Sequence, residues 1–302
     1  MNFPTSRTVV RPHQPPLPLP PGCTREQILS SLTSFALDGA AAGELEGYAR
    51  EDCDRFLYTL DLVPHRPGAI LEIGANPYFT TALMAKFRPQ SSLTLVNYFG
   101  GPERAASQTV AAPAFDDDGR EERFTFEYHN SNIEQHRLPI ADESMDVVLF
   151  CEVIEHLLED PMRALLELKR VLRPGGQMII TTPNIARLEN VARMLAGANI
   201  YDPYSGYGPY GRHNREYNRH ELDRLMTWCG FTNEVFFTAD VHPNASAGFY
   251  SLETLGPLVE FRAADLGQYL FSRWRKTGPT PDRKPTWLYR SYPEGQLEDA
   301  PL

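Results

Sequence analysis

Residues 69–81, AILEIGANPYFTT, decide the fold. Their apolar, β-branched start ends in Glu72 and Gly74, and this order predicts a buried strand followed by a sharp turn. In a dinucleotide-binding loop, further glycines let the backbone approach a pyrophosphate and let the helix pack closely on the strand. Asn76 and Tyr78 stand where those glycines would fall. The sequence therefore predicts a nucleotide-type turn that does not bind a pyrophosphate.

The turn itself is predicted to survive these replacements. Asn76 is one of the few non-glycine residue types that adopt the left-handed conformation at modest cost, and Pro77 suits the first turn of the helix that follows. A turn without a phosphate site favours a nucleoside ligand that lacks phosphates. S-adenosylmethionine, with its adenosine, sulfonium and amino acid end, fits this description, and open α/β sheets bind such ligands at the carboxyl ends of their strands.

The chain from residue 69 onwards alternates strand and helix patterns. Besides AILEI, the apolar runs SLTLVN, FTFEY, MDVVLF and QMIITT are typical of strands, and several are apolar on both faces, as buried parallel strands are. Between the last two runs, Asp160 as N-cap, Pro161 at the first helical position and Gly175–Gly176 as terminators predict a helix. A helix capped by Asn218 and the runs FTNEVFFTAD and GQYLFSRWRK, two more strand candidates, follow.

Taken in order, three segments of this pattern resemble the class I S-adenosylmethionine-dependent methyltransferases. They are ILEIGANPYF, LPIADESMDVVLFCEVIEHL and LKRVLRPGGQMIITTPN, and the resemblance covers roughly residues 60–240. It implies an α/β fold, a Rossmann-like seven-stranded methyltransferase sheet with helices on both faces, here with an N-terminal helical extension. It also implies S-adenosylmethionine as the cofactor.

The resemblance places the cofactor against a defined set of residues. Asn97 stands where the family usually has an acid for the ribose diol, and Asn132 where an acid near the adenine amine is common. Both keep a hydrogen-bonding side chain without the charge, so we expect cofactor binding to persist; ordinary turn formation after a strand is their alternative role. The implied cofactor-binding residues are Glu72, Gly74, Ala75, Asn76, Asn97, Asn132, Ile133 and Cys151.

The sequence also divides the chain into regions. The proline-rich start is predicted to be a disordered tail, a capping box of Thr24 and Gln27 opens a helix, and a second helix is predicted over about 44–60. The regions are a tail (1–23), N-terminal helices (24–62), the methyltransferase domain (63–290) with a substrate-side loop or lid (184–217), and a polar tail (291–302).

The composition restricts the partners. A net charge of -10 with a pI near 5.3 argues against long nucleic acid as the main partner, because phosphates are bound by clustered Lys and Arg. The four cysteines are scattered without a C-x-x-C pair, as in a reduced cytosolic protein. No apolar stretch has the length of a membrane span. We therefore expect a cytoplasmic protein that acts on small or neutral substrates.

A cluster of acidic residues and a histidine follows the fourth strand in CEVIEHL. Glu152, Glu155 and His156 are spaced i, i+3 and i+4, so a helix starting here would place them on one face. Two carboxylates and an imidazole that converge on one point either bind a divalent cation or repel each other. A histidine that merely caps or packs the helix is the alternative.

His213 in GRHNREYNRHEL extends this cluster. EVIEHL with a later histidine resembles the metal site of the small-RNA 2′-O-methyltransferases, and the EVIEHL stretch also matches ubiquinone-pathway O-methyltransferases. The resemblance implies that Glu152, Glu155, His156 and His213 bind Mg²⁺ or another divalent cation, and that His213, His156 and Glu152 are catalytic. A metal-free site in which His213 or His156 is the base stays open, as do purely structural roles.

Energetics favour a metal if the acceptor is an alcohol. A histidine with a pKa of roughly 6.5 is a poor base for a hydroxyl whose pKa is about nine units higher. This difference in pKa corresponds to about 12 kcal/mol if the proton moved first. A bound cation lowers the pKa of water from about 15.7 to about 7 in the zinc case and should act likewise on an alcohol. A vicinal diol could chelate it, and the reaction would be in-line displacement at the sulfonium methyl.

The segment YDPYSGYGPYG bears on the identity of the methyl acceptor. Its tyrosines recur every third residue among glycines and prolines, which forbid a regular helix, so a stacking lid over a sugar or aromatic acceptor and simple packing on the sheet edge are both open. TTPN followed by a GRHNREY-like segment is similar to bacterial sugar and glycan methyltransferases. We expect a metal-assisted O-methyltransferase acting on a hydroxyl of a sugar, glycan or related small molecule. The alternatives are an RNA 3′-terminal 2′-O-methyltransferase and a non-catalytic S-adenosylmethionine-binding subunit.

Overall fold

A computed structural model describes residues 14–40, 43–114 and 120–299. From residue 69 onwards this part of the chain contains both helices and strands, but the four strands between residues 92 and 151 follow one another without a helix among the described residues. The helices are α1 (Arg25–Thr33), α2 (Glu44–Leu62), α3 (Phe79–Phe87), α4 (Pro161–Val171), α5 (Leu188–Leu195), α6 (Arg219–Trp228) and α7 (Leu252–Val259). The strands are β1 (Ala36–Leu37), β2 (Ala69–Ile73), β3 (Ser92–Asn97), β4 (Arg104–Pro113), β5 (Glu121–Asn130), β6 (Met145–Cys151), β7 (Leu172–Pro183), β8 (Phe231–Ala239), β9 (Tyr269–Lys276), β10 (Lys284–Pro285) and β11 (Leu297–Glu298).

The main sheet has nine strands within the described residues, in the order β1-β4-β5-β3-β2-β6-β7-β9-β8. Strands β5, β3, β2, β6 and β7 run parallel, and β9 is antiparallel to both β7 and β8. The predicted α/β Rossmann-like fold is confirmed, but the prediction of seven strands is wrong. β4 pairs antiparallel with β5 over its whole length, and β1 pairs with β4, so this edge is two strands wider than predicted.

Helices cover both faces of the sheet, which is why its central strands are apolar on both sides. Along β2, Ile70 packs with one core and Leu71 with the other. The first core contains buried side chains of α1, α2 and α3, and the second contains those of α4 and α6. The carboxyl ends of β2, β3, β5, β6 and β7 consequently meet at one edge of the sheet between the two helical layers.

The N-terminal region is bound to the domain. The predicted capping box is present, with Gln27 N donating to Thr24 Oγ1 and Thr24 N donating to Gln27 Oε1. Residues 14–23, predicted to belong to a disordered tail, form no helix or strand but are attached to the domain: Tyr58 Oη donates to Pro15 O, and Asp240 N donates to Gln14 Oε1. The remainder of the predicted tail, 1–13, lies outside the described residues.

Two helix caps follow the prediction and one terminator does not. Asp160 caps α4 with Pro161 at its first position, and Asn218 caps α6 by accepting from Glu221 N. α4 ends at Val171 instead of reaching Gly175–Gly176, because Leu172 is already extended and begins β7.

Part of the C-terminal region forms a strand. The described part of the predicted polar tail, 291–299, contains β11, which pairs with β10. Within the described residues, no helix combines the length and the apolar character that crossing a membrane requires.

Candidate functional site

The glycine turn after β2 lies at the centre of the strand edge. Gly74 has a φ of 73° and donates its N–H to Val96 O. A Cβ at this position would lie 2.7 Å from Val153 Cγ2, so both the backbone conformation and the contact require glycine. The left-handed non-glycine residue of the turn is Tyr78, with a φ of 72°, and not Asn76 as predicted.

Tyr78 also changes the start of the next helix. It occupies the N-cap of α3, which begins at Phe79, so Pro77 precedes the first turn instead of forming it. The tyrosine is completely buried, and its hydroxyl donates to Gln108 Oε1 over 2.6 Å. Because Gln108 belongs to the unpredicted strand β4, the sequence pattern gave no signal for this support of the turn.

Asn97, at the end of β3, is tied to the same turn. Its Oδ1 accepts from Asn76 N and its Nδ2 donates to Tyr78 Oη, both over 2.9 Å, and the residue is 2% exposed. The observed role of Asn97 is therefore to hold the turn. Its predicted contact with a ribose stays a prediction.

Two further predicted cofactor residues are Glu72, which is buried in β2, and Cys151, which is half-buried at the end of β6. Thr81 Oγ1 donates to Glu72 Oε2 over 2.6 Å, and burial raises the pKa of the Glu72 carboxyl to about 7. Burial also raises the pKa of the Cys151 thiol, to about 12. Both shifts favour the uncharged form of the group. Ala75 is buried beside them, 4% exposed.

Asn132 and Ile133 lie in the loop after β5. Asn132 Oδ1 accepts from Glu134 N, and Asn132 Nδ2 donates to Tyr210 Oη over 3.0 Å. Ile133 is 6% exposed and borders a cavity of about 540 Å³ that lies against α4 and residues 281–284. The predicted adenine side of the cleft is thus connected to the segment 184–217 through Tyr210.

Three of the four predicted metal ligands are brought together. Candidate ligand atoms of Glu155, His156 and His213 all lie within 4.8 Å of one another, and we call this group the Glu–His–His cluster. His156 Nε2 is 3.8 Å from Glu155 Oε1, and the two imidazole rings are 5.0 Å apart. The expected helix is absent here: a single 3₁₀ turn, Ile154–His156, carries the first two residues.

Outer partners orient each member of the Glu–His–His cluster. His156 Nδ1 lies 2.9 Å from Arg212 O, and His213 Nδ1 lies 2.9 Å from Glu216 Oε1. Both partner oxygens accept, so the proton is on Nδ1 and each Nε2 is left as an acceptor, the arrangement typical of metal-binding histidines.

The carboxylate of Glu155 has one oxygen to spare. Glu155 is completely buried; its Oε2 accepts from Thr182 Oγ1 over 2.9 Å, and its Oε1 has no hydrogen-bond partner. A buried, unpartnered carboxylate oxygen is costly and demands an explanation. One carboxylate oxygen and two imidazole nitrogens are a donor set that fits a divalent cation.

The charges of the cluster are set by burial and by each other. Burial raises the pKa of Glu155 to about 7, with the opposing charge of His213 limiting the rise. Burial lowers the pKa of His156, and the nearby charge of His213 lowers it further. Burial alone would lower the pKa of His213 too, but Glu216 and Glu155 outweigh it and the pKa is raised. The pKa values of the two histidines are therefore shifted in opposite directions.

Glu152, the fourth predicted ligand, is not in the cluster. Its Oε1 accepts from Thr181 Oγ1 over 2.8 Å and lies 3.7 Å from Arg55 Nη1. Burial raises the pKa of the Glu152 carboxyl, the charge of Arg55 opposes this rise, and the charge of Glu155 adds to it. Sequence reasoning missed Arg55, although a charged residue inside the apolar run of α2, DRFLYTL, was a signal that could have found it.

The segment 209–215 is docked on the cluster by backbone contacts. Asn214 N and Arg215 N both donate to Glu155 O, and Asn214 Nδ2 donates to His156 O. These bonds explain how His213, more than fifty residues away in sequence, reaches Glu155 and His156. The position of His213 thus depends on this segment.

The four tyrosines of the segment 201–211 have two kinds of surroundings. Tyr201, Tyr204 and Tyr207 are 82%, 92% and 90% exposed. Tyr210 instead packs edge-on against Tyr98, with ring centroids 5.6 Å apart. The Arg212 guanidinium lies 4.8 Å above the Tyr204 ring. The segment therefore presents aromatic faces to solvent beside the cluster.

The glycine turn, the strand edge and the strand β7 fall within one recognised unit. The family model described as a methyltransferase domain matches residues 71–180. Residues 71–180 are therefore similar to a methyltransferase domain. The family resemblance predicted from the sequence is confirmed at this level, and the Glu–His–His cluster lies at the carboxyl end of the domain's strand β6 with one member, His213, contributed from outside the matched range.

Curated proteins resemble the domain over part of their length. A probable S-adenosylmethionine-dependent methyltransferase of Mycolicibacterium smegmatis is 37% identical over 123 residues, 41% of this chain and 42% of that protein. A ubiquinone biosynthesis O-methyltransferase of Parvibaculum lavamentivorans is 42% identical over 77 residues, 26% of this chain and 28% of that protein. The chain spans less than half the length of these relatives.

Solved structures are also similar to the chain. One is the Burkholderia thailandensis 1,6-didemethyltoxoflavin-N1-methyltransferase with bound 1,6-didemethyltoxoflavin and S-adenosylhomocysteine. It is 17% identical, with a TM-score of 0.43, and the match covers 73% of this chain and 76% of that one.

Proposed function

We propose that this chain is an S-adenosylmethionine-dependent O-methyltransferase that acts, with a divalent cation, on a hydroxyl of a sugar, glycan or related small molecule. The observation that carries the proposal is the Glu–His–His cluster, in which the unpartnered Glu155 Oε1 faces His156 Nε2 at 3.8 Å inside the domain's strand edge. A protein without a cation would gain by satisfying this oxygen internally.

The cofactor part rests on the turn after β2 and on the relatives. Gly74 and Tyr78 are left-handed residues of a turn that lacks the further glycines of a pyrophosphate loop, and the neighbouring Glu72 and Ala75 are buried. The Mycolicibacterium relative is named an S-adenosylmethionine-dependent methyltransferase. When bound, S-adenosylmethionine supplies the methyl group as a sulfonium, which is its own chemistry and needs only positioning by the protein.

The cation part rests on the donor set. Glu155, His156 and His213 would hold it, while Arg212 O and Glu216 orient the two imidazoles. A divalent cation would act as a Lewis acid and lower the pKa of a bound alcohol. A histidine base alone leaves the pKa of the alcohol at its high ordinary value. This favours a hydroxyl acceptor, in line with the O-methyltransferase named among the relatives.

The chain's own residues position the acceptor and exclude water. Tyr210, bonded to Asn132 and packed on Tyr98, closes the segment 184–217 over the cofactor side. Tyr204 and Arg212 form a stacked pair close to His213. Exposed aromatic faces with a planar cation suit sugar rings, which offer apolar CH faces and hydroxyl edges. Binding geometry of this kind can supply much of the rate enhancement.

The test is transfer of labelled methyl from S-adenosylmethionine into an extract of the source cells, fractionated into glycan or lipid, RNA and small molecules, with EDTA or added Mg²⁺. We expect cation-dependent label in a nuclease-resistant, sugar-containing fraction. Label in RNA would replace this proposal with the RNA 3′-terminal 2′-O-methyltransferase, label indifferent to EDTA would remove the cation, and no label would leave a binding subunit.

Two histidine variants, one of them a control, test the role of His213 directly. His213→Ala should lower the cation-dependent rate by about 100-fold or more, a typical size for loss of a group that positions catalytic charge, and should leave S-adenosylmethionine affinity unchanged by calorimetry. His220→Ala, at an exposed histidine in the first turn of α6, is the matched control and should behave as wild type. Unchanged turnover in His213→Ala would sink its assigned role.

A further inference from the structure

Glu152 is near the Glu–His–His cluster in sequence but is not one of its members, and its side chain has other partners. Thr181 bonds it twice: Glu152 N donates to Thr181 O over 2.9 Å, and Thr181 Oγ1 donates to Glu152 Oε1 over 2.8 Å. Its φ of 54° is in the left-handed region, which a residue with a side chain seldom adopts. The backbone is therefore held in an unusual conformation, and the carboxylate is bonded to Thr181.

Arg55 is the charged partner of Glu152, and its own side chain is held by several contacts. Its side chain is 5% exposed, its Nε donates to Asp52 Oδ1 over 2.8 Å, and its Nη2 donates to Tyr48 Oη over 2.6 Å. The guanidinium also lies 4.9 Å from the centre of the Phe56 ring. A guanidinium enclosed in this way keeps its place, and buried charges are stable only beside their partners.

The two observations give Glu152 partners that the cluster does not share. Arg55 Nη1 lies 3.7 Å from Glu152 Oε1, whereas the unpartnered oxygen on the cluster side belongs to Glu155 alone. Moving the Glu152 carboxylate to the cluster would separate it from Arg55 and Thr181 and would bring two buried carboxylates together. Both changes oppose the move.

We propose that Arg55 and Thr181 withhold Glu152 from the metal-ligand set, so that Glu155, His156 and His213 are the complete set of protein ligands. The inference rests on the cation of the proposed function and deepens it. Three protein ligands leave positions open, as in catalytic zinc sites that keep a place for water or substrate. An acceptor with two adjacent hydroxyls is the class of substrate that can fill two such positions.

The experiment measures Mn²⁺ affinity of the full-length chain by isothermal titration calorimetry, with electron paramagnetic resonance of free Mn²⁺ as an independent readout. Glu152→Gln should leave the Kd within about threefold of wild type, far below the roughly 10–100-fold that even an outer partner of a metal site costs. Glu155→Gln, the matched variant three residues on, should weaken binding by more than about 100-fold. Arg55→Gln should free Glu152 and tighten binding by about tenfold, and the double variant Arg55→Gln/Glu152→Gln should return it to the wild-type value.

Each outcome decides one question. Loss of Mn²⁺ binding in Glu152→Gln, comparable to the loss in Glu155→Gln, would overturn this inference and leave the cation of the proposed function in place. A wild-type chain that binds no Mn²⁺ would overturn both. If Arg55→Gln does not fold, as judged by circular dichroism, the comparison of Glu152→Gln with Glu155→Gln still decides the matter.

Discussion

At the scale of single residues, the buried carboxyl of Glu72 makes a prediction about pH. Its pKa is raised from 4.5 to about 7 by burial, so the folded chain keeps a proton that the unfolded chain releases near pH 4.5. The stability contributed by this proton is complete below pH 4.5 and is lost as the pH rises to about 7, a cost of roughly 3 kcal/mol. Glu72→Gln should therefore unfold at higher urea concentration than wild type at pH 8 and at a similar concentration at pH 4.5.

The control for Glu72 is Glu260→Gln, which removes an exposed carboxylate on the surface. Its unfolding midpoint should follow that of wild type at both pH values. Glu72→Gln should in addition weaken S-adenosylmethionine binding, because the family resemblance places Glu72 against the amino acid end of the cofactor. Parallel pH profiles for wild type and Glu72→Gln would show that burial does not raise this pKa.

At the scale of elements, β4 supports the cofactor turn from a neighbouring strand. Gln108→Leu removes the acceptor of the Tyr78 hydroxyl, a bond of 2.6 Å, and should cost about 1 kcal/mol of stability. Because the same hydroxyl accepts from Asn97, we expect the turn to loosen and the Kd for S-adenosylmethionine to rise about fivefold. Ser107→Ala, at an exposed neighbouring position of β4, should change neither value in urea unfolding and calorimetry.

The start of α4 makes a second prediction at this scale. Asp160 caps the helix through Met162 N and Arg163 N and also accepts from Tyr289 Oη over 2.6 Å. Asp160→Ala should lower the unfolding free energy by about 2 kcal/mol, since a cap is worth roughly 1 kcal/mol and Tyr289 loses its partner. Asp160→Asn, which still caps, should lose less than half of that. Equal losses in the two variants would assign the effect to the charge pair of Asp160 with Lys284.

The elements that the sequence predicted are those with a local signal. The strands of the parallel sheet and the caps Thr24, Asp160 and Asn218 follow from apolar runs and from side chains that bond their own helix. β4, RAASQTVAAP, escaped because it is poor in β-branched residues and is held by its partner β5. Tyr78 as the left-handed residue and Arg55 beside Glu152 escaped for the same reason, since both depend on contacts from distant parts of the chain.

At the scale of the whole molecule, the net charge of -10 favours the proposed sugar or glycan acceptor over an RNA acceptor. An RNA acceptor needs several phosphate contacts, and six to ten such contacts cost about 10³–10⁵-fold in affinity between 50 and 200 mM salt. A sugar or glycan acceptor held by Tyr204, Arg212 and the Glu–His–His cluster needs none. Methyl transfer to the natural acceptor should therefore change by less than about twofold over this salt range, measured as kcat/KM at fixed Mg²⁺. A steep linear fall of log(kcat/KM) with log salt would instead favour the RNA acceptor, and equal osmolality in sucrose is the control that separates charge screening from crowding.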